Sequence, residues 1–359
     1  MKFSVNWLLV FIPITLILEH VEGVAAPLIF FSAALAIVPV AALIVHSTEQ
    51  LATYTGETIG GLLNATFGNA PELIIALVAL KAGYLDMVRA SIIGAILANL
   101  LLALGVAFLV GGLRHGNQTH NPVTIRTYSS MMLLASISLA VPAAFSRYFA
   151  PNGTMRQEQM LNLGVAGALL AAYVLYLVFS LKSQAVTAPT GETAQTESHH
   201  HEARWSKSRA IGSLVVASLL AAWMSEILVG AAEGTGKALG MSQIFIGIVF
   251  LAIVGGAAES GSAVALGAKN KVDMSVGIAL GSSIQIALFI APVLVFASYL
   301  IAPQPLELSF GRAEVGSLFL GALIGALVFG DGQANWFRGV QLITVYLIIA
   351  MMFYFLPVE

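Results

Sequence analysis

Eleven apolar stretches, at or near the length that crosses a lipid bilayer, constrain this chain before any other feature does. They are residues 4–19, 26–48, 58–80, 87–111, 126–145, 159–181, 210–231, 243–267, 273–298, 314–330 and 337–356. A helix needs about 20 mostly apolar residues to span the hydrocarbon core. In lipid only helices and closed barrels satisfy their own backbone groups. The mean hydropathy of +0.90 and the 9% of charged residues fit that solvent, since a soluble domain carries about 25% charged residues. The expected fold is an all-α polytopic membrane protein with about 11 transmembrane helices. The first stretch lacks a small-residue cleavage site and runs into Glu19 and Glu22, so it reads as a retained span and not a signal peptide.

Composition removes several function classes. A net charge of −2 offers no basic field for nucleic acid. Zero cysteines exclude disulfides, thiol catalysis and thiolate metal sites. No cofactor is expected.

Lysine and arginine placement sets the expected orientation. With eleven spans one side holds Lys2, Arg114, Arg126, Lys182, Arg204, Lys207, Arg209, Lys269, Lys271 and Arg338. The other holds the smaller set Lys81, Arg89, Arg147, Arg156, Lys237 and Arg312. The N-terminus is therefore expected in the cytoplasm and the C-terminus outside, in a prokaryotic cell membrane, which the compact termini favour. The one long connection, 182–209, is polar and aperiodic and carries His199, His200 and His201. It reads as a flexible cytoplasmic linker.

The chain also repeats itself. Adding 187 to the residue number takes Ile59 and Gly60 to Ile246 and Gly247, Gly68 to Gly255, Ala70 to Ala257 and Glu72 to Glu259. The same shift takes Asp86 and Met87 to Asp273 and Met274, and Gly94 to Gly281. The implied organisation is an N-terminal helix (1–25), a five-helix repeat (26–181), the linker (182–209) and a second five-helix repeat (210–359). Five spans is an odd number, so the second copy must enter the membrane from the opposite face. Such inverted repeats are an architecture of secondary transporters.

Ionisable groups at membrane depth are costly and mark function. Glu72 and Glu259 fall near the centres of the third and eighth spans, with Glu49 and Glu226 toward the ends of the second and seventh. No lysine or arginine lies deep in any span, so the buried acids are expected to lack a basic partner. Either they are protonated or a mobile cation neutralises them. Glu72 follows Gly68-Asn69-Ala70-Pro71, and Glu259 follows Gly255-Gly256-Ala257-Ala258. Proline and glycine favour unwinding there, which would free carbonyls near Thr66, Phe67, Ile253 and Val254. Two carboxylates plus carbonyls suit a hard divalent cation such as calcium. Asn99, Ser282, Ser283 and Gln285 offer uncharged oxygens on neighbouring spans. Asn69 and Glu72, and likewise Ser282 and Gln285, are spaced to share a helix face.

The segment from Gly68 to Ala76 resembles the first signature, G-N-A-T-E-L-I, of the Ca²⁺/H⁺ exchanger (CAX) family. Gly255-Gly256-Ala257-Ala258-Glu259 is similar to the second, G-N-A-A-E-H, and Asp331-Gly332-Gln333-Ala334-Asn335-Trp336 to the stretch before the last helix. The resemblance covers essentially the whole chain. It implies calcium movement against a proton flux, essential roles for Glu72 and Glu259, and supporting roles for Glu49, Glu226, Asn69, Ser282 and Gln285. Three positions depart from the pattern: Pro71 for threonine, Gly256 for asparagine and Ser260 for histidine.

Two other readings compete. Na⁺/Ca²⁺ exchange uses related repeats but typically places hydroxyls before the acid, where this chain has Asn69 and Ala70. An intramembrane enzyme would need a reactive set that is missing. There is no H-E-x-x-H pair, and Asp86, Asp273 and Asp331 fall at loops or span ends. His20, His46, His115, His120 and the linker triplet are all remote in sequence from both glutamates.

Overall fold

A computed structural model describes residues 5–55, 60, 63, 66–151, 153–186 and 205–356. The expected linker is helical at both ends, to Val186 and again from Lys207. Its middle, with the histidine triplet, lies outside the described residues, as does much of the first half of the expected span 58–80.

The described helices are α1 (Val5–His20), α2 (Ala26–Ala52), α3 (Ala70–Lys81), α4 (Leu85–His115), α5 (Arg126–Phe149) and α6 (Met155–Val186). Then follow α7 (Lys207–Leu239), α8 (Gln243–Gly255), α9 (Ala257–Gly267), α10 (Val272–Ile301), α11 (Arg312–Phe329) and α12 (Trp336–Phe355). Among the described residues seven are long and apolar enough to cross a membrane, or eight if the bent pair α8–α9 is one span. The protein is a helical membrane protein.

Burial separates the centre from the rim. The most apolar window of α4 is 83% buried, whereas those of α6 and α12 are 22% and 28% buried. The apolar side chains of the rim therefore face the surface, as lipid solvation requires. The centre is reached through close backbone contact. A Cβ on Gly94 of α4 would stand 2.2 Å from the Ile248 carbonyl oxygen of α8, so only glycine permits this approach, the small-residue packing common between membrane helices.

Helices α2 and α7, related by the 187-residue shift, pack against each other in opposite directions. A Cβ on Gly234, near the end of α7, would lie 2.7 Å from Ala26 Cβ at the start of α2. At the other end of the pair, the Trp205 backbone N–H donates to Gln50 Oε1 at 3.1 Å. Further features recur at that spacing. Gly83 and Asn270 both take positive φ, +85° and +61°. The α-helical ladder also loosens into π-helical turns at Ala98–Ala103 in α4 and Ile286–Ile290 in α10.

Each membrane face is fastened by a device that the apolar pattern does not reveal. On one, the ribbon face, Gln118–Thr119 pairs antiparallel with Gln333–Ala334, and Arg338 grips Asp331 through its two terminal guanidinium nitrogens at 2.5 and 2.6 Å. On the other, residues 302–311 form an extended strap with Leu306, Leu308 and Phe310 fully buried. Asn162 of α6 holds the strap by donating to the Leu306 carbonyl and accepting from Leu308 N–H, each at 2.9 Å.

Candidate functional site

Two interruptions of helix define the site. Asn69 (φ −91°, ψ 21°) and Gly256 (φ −77°, ψ 6°) both lie in the sparsely populated region between helix and strand. They are related by the 187-residue shift. Helices α8 and α9 meet at Gly256 with a 60° bend. Beyond each interruption a helix restarts with a glutamate as its third residue: Ala70-Pro71-Glu72 in α3 and Ala257-Ala258-Glu259 in α9. Pro71 fits because the first helical turn needs no internal N–H donor. Asn69 is thus not on a helical face with Glu72, as its spacing suggested; it occupies the break itself. The N-terminal end of each short helix places a partial positive charge beside its carboxylate.

The carboxylates are sequestered. Both oxygens of Glu72 and Oε2 of Glu259 are buried without a hydrogen-bond partner. Among the described residues no salt bridge reaches either. Glu72 packs beside the break that precedes Glu259, against Gly255. Gly255 makes room for Glu72, since a Cβ there would stand 2.9 Å from its Cγ and 3.4 Å from its Cα.

Uncharged polar groups join the two halves. Asn69 Nδ2 donates to Gln285 Oε1 at 2.5 Å, and the Ser282 hydroxyl donates to Asn69 Oδ1 at 2.6 Å. Asn99 Nδ2 donates in turn to Ser282 Oγ at 2.9 Å. Asn99 lies in the π-helical turn of α4, and Gln285 immediately precedes that of α10. Such turns are frequent at functional sites. The structure therefore brings Asn69, Asn99, Ser282 and Gln285 together. Gly68 sits in the break beside Asn69. Ser283 does not join them, because its hydroxyl bonds the Ala279 carbonyl of its own helix at 2.9 Å.

The outlying acids occupy opposite halves of the molecule. Glu49, near the ribbon face, has His46 Nδ1 at 3.7 Å. Glu226 does have a basic neighbour, contrary to the expectation from sequence: Lys81 Nζ stands 3.8 Å away, with both side chains exposed. The lysine stands outside the deep part of its span, nine residues beyond Glu72 and about 13 Å along α3 by helical rise. A cleft of about 330 Å³, part of it open solvent, touches Glu72, Ser91, Ala95 and Ala252. It runs toward the end of α3 that carries Lys81. Neither Ser91 nor the cleft was visible in the residue pattern, because apolar side chains form most of its wall.

Among the described residues no group of three or more histidine, aspartate or glutamate side chains could hold a metal ion. Chemically, the arrangement offers two carboxylates without fixed countercharge, flanked by amide and hydroxyl groups.

The model of the family described as sodium/calcium exchanger protein matches twice, over residues 25–182 and 209–355. A Ca²⁺/H⁺ antiporter of Aphanothece halophytica is 39% identical over 369 residues, covering 98% of this chain and 96% of the relative. The Ca²⁺/H⁺ antiporter ChaA of Bacillus subtilis is 38% identical, covering 89% of this chain and 90% of the relative. The solved structure of native YfkE superposes with a TM-score of 0.84 at 33% identity, over 98% of this chain and 100% of that one. The two curated relatives are named as antiporters, not as enzymes. The chain belongs to the sodium/calcium exchanger protein family, in its Ca²⁺/H⁺ exchanger (CAX) branch.

Proposed function

We propose that this protein exchanges Ca²⁺, or a similar divalent cation, for H⁺ at one midplane site formed by Glu72 and Glu259. The observation that carries the proposal is the pair of buried carboxylates, without a salt-bridge partner, in the first turns of two helices related by the repeat. Two desolvated carboxylates cannot both stay ionised without a countercharge. A divalent cation supplies it in one state and protons remove the need for it in the other. Occupancy by one excludes full occupancy by the other, which is sufficient to couple their movements.

Asn69, Asn99, Ser282 and Gln285 hold the broken helices in register and offer uncharged oxygens. Gly255 admits the close approach of Glu72, and Gly68 contributes backbone to the break before Glu72. Glu226 and Glu49 serve the paths to the two faces. An inverted repeat of two five-helix units after an N-terminal helix, eleven spans in all, gives alternating access by movement of one helix set past the site. The opposed packing of α2 and α7 supports that layout. On this reading the N-terminus and the 182–209 linker are cytoplasmic, in a prokaryotic cell membrane.

The test uses purified protein in vesicles. With an imposed pH gradient, calcium uptake should occur without sodium and collapse when the gradient is dissipated. Uptake that requires a sodium gradient at matched pH would instead support Na⁺/Ca²⁺ exchange.

A further inference from the structure

The two halves of the site are not equally polar: one half carries a linked polar set that the other lacks, while the other has Asn99 where the first has Ile286. In one half Asn69, Ser282 and Gln285 form a hydrogen-bonded set. The 187-residue shift takes Asn69 to Gly256, and its reverse takes Ser282 and Gln285 to Ala95 and Ala98. Every polar member of the first set has a small apolar counterpart in the second. Ala95 and Ala98 are buried, at 5% and 4% exposure, so no other part of their side chains replaces the lost groups.

Gly256 stands where this difference meets the carboxylate. A Cβ built on it would lie 3.5 Å from Glu72 Oε1 and 3.7 Å from Asn99 Oδ1, with the Ala252 carbonyl oxygen at 3.3 Å. The first two are ordinary contact distances, and the third needs only a small adjustment. Glycine is therefore not required here by crowding, in contrast to Gly255. Asn99 uses its amide nitrogen on Ser282, which leaves its oxygen on the Gly256 side with Glu72. The cleft that touches Glu72 also includes Ala95, so the apolar half of the site adjoins open space.

Resting on the exchange reading above, we infer that Gly256 is the specificity-determining position of the site and makes it permissive for divalent cations larger than Ca²⁺. Selectivity among hard cations follows cavity size, ligand number and rigidity. Asn69 fixes its half of the site through two hydrogen bonds. Gly256 contributes no side chain to the other half, and the room beside Glu72 admits a larger ion or one that keeps a water.

The experiment compares wild-type protein with Gly256→Asn and Gly256→Ala in vesicles driven by a pH gradient, measuring inhibition of calcium uptake by Sr²⁺ and Ba²⁺. Gly256→Asn should raise the preference for Ca²⁺ over Ba²⁺ by at least about tenfold, in the range that supporting groups contribute to metal affinity. Gly256→Ala should give an intermediate value, with Sr²⁺ affected less than Ba²⁺. Should Gly256→Asn fail to fold, Gly256→Ala and Ala98→Ser carry the test, the serine adding a hydroxyl in the same half. A preference unchanged within about twofold in folded variants that still transport would overturn the inference. Calorimetric binding of Ca²⁺ and Ba²⁺ to the same proteins separates the two readings. Wild-type protein that binds both ions but exchanges neither for protons sinks the exchange mechanism while leaving the Gly256 comparison decisive.

Discussion

Asn69 donates its side-chain amide to Gln285 Oε1 across 2.5 Å, a bond from the break before α3 to a helix 216 residues later in the chain. It ties the two halves of the site at the point where backbone hydrogen bonding is interrupted. A double-mutant cycle with Asn69→Ala and Gln285→Ala, read by unfolding in mixed micelles, should give a coupling of about 0.6 kcal/mol and no more than about 1.7 kcal/mol, as for polar contacts between membrane helices. Strict additivity would show that the bond carries no weight in the membrane.

Glu72→Gln and Glu259→Gln should each abolish exchange while preserving a monodisperse, folded protein, because each removes half of the negative charge that a divalent ion must meet. Gly255→Ala should impair transport by a different route. Its methyl group would stand 2.9 Å from Glu72 Cγ and 3.4 Å from its Cα, so the carboxylate and its helix must shift. Calcium affinity should fall with the fold intact, and full transport by any of these three proteins would remove that residue from the mechanism.

The ribbon face has its own pH dependence. The Arg338 guanidinium beside Asp331 holds that carboxyl down at about 2, from an ordinary 3.8. A depressed acid contributes its stability above the unfolded value and loses it as pH falls through the folded one. Asp331→Asn should therefore destabilise the protein at pH 7 and lose its effect between pH about 4 and about 2. The pair is partly exposed, with side chains 22% and 51% accessible, so screening limits the cost to under about 1 kcal/mol. Thermal melts of both proteins across that interval give the answer.

His120 works on the same face with a base's chemistry. Its ring is buried and stacks on Phe108 at 6.3 Å and 19°. Burial pulls its pKa down, against the upward pull of Asp273, of a backbone hydrogen bond with Gln333 and of Asp331, while Arg338 adds to the depression. The unfolded chain then binds the proton more readily, so stability is full above about pH 6.5 and falls below it. His120→Phe should flatten that acid limb of the melting profile; an unchanged limb would assign it to other groups.

What could be read from the residues follows from what lipid does to a sequence. Apolar runs must be helices, so the membrane-helical class is legible, and seven long apolar helices, or eight with the bent pair, stand among the described residues. Uncompensated acids are costly enough that the sequence singles out Glu72 and Glu259. The repeat located both breaks, Asn69 and Gly256, through their glycine and proline neighbours. Pairing was not legible. Nothing in the spacing told that Asn99 would reach Ser282 while Ser283 turned back onto Ala279, because that depends on how α4 and α10 rotate against each other. The Lys81–Glu226 pair was missed for a similar reason: the two residues sit on different helices and meet only when α3 lies beside α7. The 302–311 strap escaped because its buried leucines alternate along too short an extended segment to announce themselves.

Competition at the two glutamates makes a quantitative demand on calcium binding. If the ion and the protons share the carboxylates, binding calcium to a protonated site must expel protons, and affinity must weaken as pH falls. Where two protons leave per calcium, the dissociation constant should rise about a hundredfold per unit fall in pH, or about 2.7 kcal/mol; one proton gives about tenfold and 1.4 kcal/mol. Glu49 and Glu226 lie away from the shared site, so Glu49→Gln and Glu226→Gln should change rate or apparent affinity and leave that slope intact. Calorimetry between pH about 5.5 and 8.5, in buffers of differing ionisation enthalpy, measures both the slope and the protons released. An affinity independent of pH, with no buffer-dependent heat, would mean that protons travel by another route even if Glu72 and Glu259 bind the ion.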